Sequence, residues 1–349
     1  MQRTKTTREL SQRLVAGLDF ARALAACYVV VHHVANSRGW SHGLGLMFRF
    51  GQEAVLVFFL LSGFVIFANE RDRAIHLRGY YLRRLRRIYP ALVAALIIST
   101  LIAFDNGVLK VQYRSDQLLG TLLGLQDISV LKPGVIVDPY LNNSPLWSLS
   151  YEVFFYLIFP LVLRLWLHYP KLTNHAVGTT CCAAYLLYVK MPNHWALVTA
   201  YYLVWWCGAM AADGYLRSAR DFRSVGAPMF WLAVLCVIAT GAVLTVGYRG
   251  LGIYPFLPLR HFIAAIMMLI ILFGRLGAGL ASISFTLAMP AAFVASFSYG
   301  LYVLHVPLLV QWHRAQSDFG LAAAVVLMVV IAYFSDRQLS LWLPKVVHR

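Results

Sequence analysis

The chain of 349 residues is 60% hydrophobic and only 13% charged, which excludes an ordinary soluble domain and is typical of proteins that cross a membrane several times. Its formal net charge of +16 would suit nucleic-acid binding, but most Lys and Arg residues lie in short segments between apolar stretches. We therefore attribute the charge to membrane orientation and expect membrane lipids, and no nucleic acid, as partners.

Ten apolar stretches are long enough, or nearly so, to cross a bilayer. They predict an all-α integral membrane protein with a bundle of about ten transmembrane helices. Basic residues cluster before the first stretch and again between the second and third, which predicts that both termini are cytoplasmic. The predicted spans are 14–35, 50–69, 88–104, 146–167, 175–190, 194–212, 227–247, 259–273, 290–312 and 320–343.

No change in composition marks a second domain, so residues 1–349 are predicted to form a single transmembrane domain. Its extramembrane parts are a cytoplasmic N-terminal segment, 1–13, an arginine-rich cytoplasmic segment, 70–87, and an outer loop, 105–145. A loop as long as 105–145 is usually functional or disordered, and its aromatic and turn residues favour a functional role. The five cysteines lie in apolar stretches without the spacing of metal ligands, and we expect no metal.

The first predicted span carries an arginine and a histidine on one helical face. His33 follows Arg22 by eleven positions, which is three full turns at about 100° per residue. This spacing places the two side chains on one face about 16 Å apart. Ionisable groups cost roughly 2.5–3.5 kcal/mol each in a membrane, so they normally face a protein interior and serve a function. His33 is the predicted catalytic base, with a hydrogen bond to a neighbouring helix as the alternative. Arg22 can hold Asp19 or an anionic ligand, whereas His32 lies on another face.

The second predicted span combines an acidic residue with a run of small and aromatic residues. Ser62 and Gly63 allow another helix to approach closely, and packing is the expected role of this run. Glu53, near the start of the span, is a candidate site residue because a carboxylate is unfavourable there.

Four arginines mark the cytoplasmic start of the third span. They form two overlapping Arg-x-x-Arg pairs, Arg83 with Arg86 and Arg84 with Arg87. Guanidinium groups bind phosphates through paired hydrogen bonds, so the four arginines are predicted to clamp a phosphorylated donor. The alternative is that the run only sets the orientation of the helix.

The fourth and ninth spans contain further candidates. Glu152, about two turns into the fourth span, is predicted to orient the histidine of the first span or an incoming hydroxyl, or to pair structurally with an arginine. In the ninth span Tyr299, Tyr302 and His305 are predicted to line a polar cavity, with aromatic packing as the alternative for the tyrosines. Pro307 is predicted to kink this helix.

The order of these motifs resembles that of the acyltransferase 3 family of integral membrane acyltransferases. The resemblance covers about 14–310 and implies a ten-helix bundle that takes an acyl group from cytoplasmic acyl-CoA to a carbohydrate hydroxyl outside. The motifs are Leu-Asp-Phe-Ala-Arg-Ala-Leu-Ala leading to His-His, Phe-Phe-Leu-Leu-Ser-Gly-Phe, the arginine-rich run ending Ile-Tyr-Pro, Leu-Trp-Ser-Leu-Ser-Tyr-Glu, and Ser-Tyr-Gly-Leu-Tyr-Val-Leu-His-Val-Pro.

The resemblance implies roles for individual residues. Arg22 and His33 match the family's Arg-x10-His pair, with His33 as the essential histidine. Arg84 and Arg87 are the implied ligands of the coenzyme A phosphates, and Glu152 is the implied supporting carboxylate.

One position departs from the family pattern. Many members carry an acidic residue two positions before the Phe-Phe pair, where this chain has Leu56. Glu53, about one turn earlier, is a candidate substitute. Members often carry a fused soluble outer domain, which we do not expect here, so handling of the acceptor would fall to the bundle and to 105–145.

These residues and the resemblance favour a membrane O-acyltransferase in a bacterial cytoplasmic (inner) membrane, in the simplest case an O-acetyltransferase that uses acetyl-CoA. The expected acceptor is a surface or secreted polysaccharide, or a lipid-linked saccharide. His33 would act either as general base on a sugar hydroxyl or as a transient acyl carrier. The alternatives are a transporter or flippase of a glycan, in which the intramembrane charges form a permeation path, and a non-catalytic scaffold.

Overall fold

The computed structural model of this chain is almost entirely helical. No strand occurs in the part of the chain that the structure describes, apart from an isolated bridge between Gln126 and Val137. Most of the predicted N-terminal segment and the end of the last predicted span lie outside the described residues. The described residues are 11–40, 47–71, 76–218, 223–274, 277 and 287–339.

Every predicted span coincides with a helix or a bent pair of helices. Within the described residues, eight helices are long and apolar enough to cross a membrane, or nine if the bent pair α11 and α12 counts as one span. The chain is therefore a multi-pass, all-α membrane protein, while the number ten and the cytoplasmic position of both termini stay predictions. The helices are α1 (Gln12–Ser37), α2 (Gly51–Glu70), α3 (Leu77–Asp105), α4 (Leu109–Gln112), α5 (Ser115–Leu123), α6 (Trp147–His168), α7 (Pro170–Lys190), α8 (His194–Ser218), α9 (Arg223–Val246), α10 (Phe256–Phe273), α11 (Ala288–Ser296), α12 (Ser298–His305) and α13 (Asp318–Tyr333).

The contacts within the chain group it into two compact units. Each unit draws on separated parts of the sequence, so the division does not follow a boundary that composition could reveal. The first unit takes in the described residues of Met1–Ala21, Leu56–Ile75 and Ile158–Met289, and the second takes in those of Arg22–Val55, His76–Leu157 and Pro290–Arg349.

In the first unit, two glycines bring α2 and α8 into backbone contact. A Cβ atom at Gly63 would lie 2.1 Å from the carbonyl oxygen of Trp205, and one at Gly208 would lie 2.0 Å from that of Leu60. The indole N–H of Trp205 also donates to the hydroxyl of Ser62 at 3.2 Å. The small residues of α2 therefore act in packing, which is the role expected from the sequence.

The third helix begins well before the predicted span. α3 starts at Leu77 and is about 43 Å long at 1.5 Å per residue, whereas a hydrocarbon core is about 30 Å thick. The sequence after Gly79 has no turn residue until the span begins, and Arg and Leu are good helix formers. Residues 77–87 of the arginine-rich segment are thus the first part of this helix, and their cytoplasmic position stays a prediction.

The ninth predicted span is broken at Phe297. α11 and α12 meet there at an angle of 55°. The break leaves backbone donors at the start of α12 without partners within the helix. The N–H of Gly300 donates instead to Oδ2 of Asp336 at 2.9 Å. Asp336 lies in a π-helical segment, Phe334–Leu339, that follows α13.

The 55° bend of this span lies ten residues before Pro307, where the sequence predicts a kink. The chain continues through it as a π-helical segment, Val306–Gln311. Pro307 has no N–H to donate to the carbonyl of Val303, four residues earlier. The side chain of Asn143 donates to that carbonyl at 2.9 Å, so the outer loop compensates for the proline.

The outer loop is folded around a buried ion pair. Nζ of Lys132 lies 2.5 Å from the carboxylate of Asp127, and both side chains are almost completely buried. The hydroxyl of Tyr151 donates to Asp127 at 2.7 Å, and Nζ of Lys132 lies 4.0 Å from the centre of the Trp147 ring. Burial lowers the pKa of the Lys132 ammonium, while the neighbouring carboxylate acts in the opposite direction. The pair fastens the loop to the first turns of α6.

Candidate active site

Two histidines of the second unit face each other. The rings of His33 on α1 and His305 at the end of α12 have their centroids 5.1 Å apart. His305 is fully buried, and its Nδ1 lies 3.2 Å from the carbonyl oxygen of Leu301. A carbonyl can only accept, so Nδ1 carries the proton and Nε2 presents a lone pair. No described residue hydrogen-bonds to that Nε2 or to the ring of His33. The pair can therefore accept a proton from a ligand.

His32 lies beside this pair but has other contacts. Its Nδ1 donates to the carbonyl oxygen of Phe48, and the side-chain nitrogen of Asn36 lies 3.2 Å from its Nε2. The ring packs on Gly51, where a Cβ atom would come within 2.3 Å of it. Its ring meets that of His33 edge-on at 4.9 Å. His32 thus lies against the start of α2, on a different face from His33.

A cluster of arginines surrounds Glu152 in the same unit. The hydroxyl of Tyr156 donates to Oε2 of Glu152 at 3.2 Å. The guanidinium group of Arg84 stacks on the Tyr156 ring at 5.7 Å. Arg22, Arg84 and Arg87 all lie close enough to interact electrostatically with the Glu152 carboxylate. The structure thus brings together four residues that the sequence singled out separately.

Arg87 connects this cluster with α12 and with the π-helical segment Phe334–Leu339. Its guanidinium group lies 5.8 Å from the centre of the Tyr299 ring and 3.8 Å from the carboxylate of Asp336. Nε of Arg84, the hydroxyl of Tyr299 and Oδ1 of Asp336 are buried and have no hydrogen-bond partner among the described residues. Buried polar atoms normally find partners, so this cluster can bind a ligand that supplies acceptors and donors.

The four arginines of α3 divide into two pairs. Arg84 and Arg87 face the Glu152 cluster. Arg83 lies about 40° around the helix from Arg87, and Arg86 lies about 100° from it. The contacts described above involve Arg84 and Arg87. The clamp of four arginines, and the role of this pair in binding, stay predictions.

Three further candidates are Asp19, Glu53 and Tyr302. Asp19 is a partly buried residue of the first unit, and Glu53 is buried in the first turn of α2 in the second unit. Tyr302 donates to the carbonyl of Pro145 at 2.6 Å and shares a hydrogen bond with Ser148 at 2.9 Å. Tyr302 therefore ties α12 to the start of α6, and its place in a polar cavity stays a prediction. The structure does not test a catalytic role for Asp19 or Glu53.

Sequence reasoning missed two members of the site. Asp336 is a carboxylate within the last predicted span, so the membrane cost that pointed to Glu152 could also have found Asp336. Tyr156 follows Glu152 by one helical turn, a spacing at which side chains meet. Within the described ranges, no group of three or more His, Cys, Asp or Glu residues could hold a metal ion.

The fold and these residues define a multi-pass membrane protein with a histidine pair and an arginine–carboxylate cluster in one unit. The family model described as an acyltransferase domain matches residues 15–336, and the chain belongs to this acyltransferase 3 family.

Three relatives are similar to parts of the chain. The peptidoglycan O-acetyltransferase OatA of Listeria monocytogenes is 30% identical over 182 residues, which cover 48% of this chain and 28% of that protein. The acyltransferase MdmB of Streptomyces mycarofaciens is 35% identical over 155 residues, covering 43% and 39%. A putative O-acetyltransferase of Staphylococcus aureus is 27% identical over 175 residues, covering 47% and 27%. The chain thus matches less than half the length of these relatives. No solved structure matches it.

Proposed function

We propose that the protein is a membrane O-acyltransferase that moves an acyl group from acyl-CoA, in the simplest case acetyl-CoA, to a saccharide hydroxyl. The observation that carries this proposal is the pair His33 and His305, whose rings lie 5.1 Å apart with Nε2 of His305 available as a base. Membership of the family supports acyl transfer, and the relatives named O-acetyltransferases support transfer to oxygen.

The histidine pair can serve either of two routes. In direct transfer, the acceptor oxygen attacks the thioester carbonyl while an imidazole takes its proton, and the proton then passes to the departing thiolate. In the carrier route, His33 attacks the thioester first, the thiol leaves, and the acceptor hydroxyl then takes the acyl group from the imidazole. His305 lies close enough to His33 to move the proton in both routes.

Arg84 and Arg87 are the proposed ligands of the donor's phosphates. Guanidinium groups bind phosphate oxygens in bidentate pairs, and the two side chains lie one turn apart on the same face of α3. Arg87 is partly exposed, whereas Nε of Arg84 is buried without a partner among the described residues. Glu152 and Asp336 would hold the guanidinium groups in place.

The proposed location is a bacterial cytoplasmic membrane with both termini inside. The arginine-rich start of α3 would then face the cytoplasm, where acyl-CoA is found, and the end of α3 would face outside. The proposed acceptor is a surface or secreted polysaccharide, or a lipid-linked saccharide.

The test uses purified protein in liposomes and release of free thiol from acetyl-CoA. We compare the wild type with His33→Ala, and use His168→Ala, an exposed residue at the end of α6, as the matched control. Loss of release in His33→Ala alone supports the proposal, whereas equal rates in all three remove His33 from the chemistry. Labelled acetyl-CoA supplied without acceptor separates the routes, since only the carrier route leaves label on the protein.

A glycan transporter or flippase is the second candidate, and the break at Phe297 favours it. Discontinuous helices commonly line the substrate sites of transporters. Such a protein would move a saccharide across the liposome membrane without acyl-CoA and would respond to a proton gradient. If a saccharide crosses the membrane under those conditions and no thiol is released, the protein is a transporter or flippase and the proposed enzyme activity is contradicted.

A further inference from the structure

A cavity of about 320 Å³ lies at the end of α3 in the second unit. Small-molecule sites in proteins measure about 300–1,000 Å³, so this volume suffices for a small ligand or one unit of a larger one. Five of the nine residues that line it are polar, and the lining residues carry no charge. The polar ones are Ser99, Asn106, Gln112, Asn142 and Gln311.

Hydrogen bonds hold the amide side chains at one side of this cavity. Asn106 donates to the carbonyl oxygen of Gln311 at 2.7 Å, and Gln311 donates to the carbonyl oxygen of Leu141 at 2.9 Å. The backbone N–H of His313 donates to the side-chain oxygen of Asn106 at 3.2 Å. The amides are therefore fixed in position before any ligand binds, which favours specific recognition.

Ser99 is one of the residues that line the cavity. Its side chain is 2% exposed, and Oγ has no hydrogen-bond partner among the described residues. Hydroxyls within helices usually donate to the carbonyl one turn earlier, as the neighbouring Thr100 does to Leu96 at 2.8 Å. Because this oxygen is buried, the saccharide contacts proposed below are assigned to the amide side chains of the lining and not to Ser99.

Two residues with left-handed backbone form part of the rim. Leu141 has φ 49° and Asn142 has φ 57°. Asparagine tolerates this region, but a leucine rarely adopts it. Residues held in such conformations cluster at functional sites, because the surrounding structure must fix them there. Here the hydrogen bond from the side chain of Gln311 to the Leu141 carbonyl helps to hold Leu141 in this conformation.

We propose that this cavity is a subsite for a neutral saccharide, the acyl acceptor. The acceptor role rests on the proposed function, while the binding of a saccharide rests on the cavity itself. Side-chain amides both donate and accept, which matches sugar hydroxyls, and the uncharged lining does not select an ionic ligand. Gln311 follows His305 by six residues of continuous helix, a rise of about 9 Å along the helix axis at 1.5 Å per residue. An acceptor held here lies near the histidine pair.

Binding is tested on purified protein in lipid nanodiscs, with chitotetraose and maltotetraose as probes and ligand-detected NMR as the readout. Gln112→Ala removes an exposed amide of the rim, and Ala103→Leu fills part of the cavity with apolar volume. Gln117→Ala, on α5 away from the cavity, is the matched control. Thermal unfolding of each variant confirms that it is folded.

The proposal expects at least one probe to bind the wild type and Gln117→Ala, with binding weakened about tenfold in Gln112→Ala and in Ala103→Leu. Absence of binding by both probes to the wild type, or equal binding by all four proteins, overturns it. Thiol release by the wild type decides the proposed function separately. If the protein binds a saccharide but releases no thiol, whether or not a saccharide is present, the proposed enzyme activity is contradicted and the subsite is supported. If the protein releases thiol but binds neither saccharide, the enzyme activity is supported and the subsite is contradicted.

Discussion

The guanidinium group of Arg87 lies 3.8 Å from the Oδ2 atom of Asp336, the same oxygen that accepts the backbone N–H of Gly300 at 2.9 Å. One carboxylate oxygen therefore connects the arginine-bearing helix α3 with the start of α12. Five residues after Gly300 the same short helix ends at His305. The proposed donor site and the histidine pair thus share a structural support.

Asp336→Asn tests that support. Asparagine keeps an acceptor for the Gly300 amide but removes the charge that faces Arg87. Because Arg87 is partly exposed, the ion pair is worth at most about 1 kcal/mol, so we expect the KM for acetyl-CoA to rise about fivefold with kcat little changed. Steady-state thiol release in liposomes measures both. Asp318→Asn, an exposed carboxylate at the start of α13, is the control, and an identical KM in the two variants would contradict the prediction.

His305→Phe tests the second histidine. Phenylalanine fills a similar space but has no nitrogen to accept a proton, so we expect acyl transfer to fall by a factor of about 100 or more. The thiol-release assay measures the rate, and the thermal unfolding midpoint shows whether the variant is folded. A folded variant with wild-type activity would leave His33 to act alone.

The positions of the helices could be predicted because each depends on one continuous apolar stretch of membrane length. The common face of Arg22 and His33 could be predicted because helical geometry alone fixes it. The bond between Gly300 and Asp336 could not, since it joins residues 36 apart in the sequence. The break at Phe297 was missed for a related reason: Phe297 is itself neither Pro nor Gly, and a side chain distant in the sequence stabilises the start of the next helix.

Gly63→Ala should destabilise the first unit. The added Cβ would meet the Trp205 carbonyl oxygen at 2.1 Å, and a backbone atom cannot move aside as a flexible side chain can. Overpacking of this kind typically costs about 1–3 kcal/mol and should lower the thermal unfolding midpoint. Gly241→Ala is the matched control, because a Cβ there meets nothing within 4 Å and alanine favours the helix. The control should unfold at the wild-type temperature or higher.

Lys132→Met should destabilise the outer loop. The substitution leaves the Asp127 carboxylate buried without its counter-charge, a change that typically costs roughly 3–5 kcal/mol. Thermal unfolding and the rate of proteolysis within 105–145 would report it. The double variant Lys132→Met with Asp127→Asn should recover part of the loss, because no buried charge remains. Lys110→Met, at an exposed position in the same loop, should behave like the wild type.

The break at Phe297 also bears on the order in which the protein is assembled during synthesis. α11 measures about 14 Å, and α12 with the π-helical segment up to Gln311 about 21 Å, so neither can cross a hydrocarbon core of about 30 Å without the other. The carboxylate that satisfies the Gly300 amide belongs to Asp336, which leaves the ribosome later than α12 does. The ninth span therefore reaches its final shape only after α13 and the segment that carries Asp336 have been inserted. A nascent chain released before Asp336 would lack the carboxylate that stabilises the helix ending at His305.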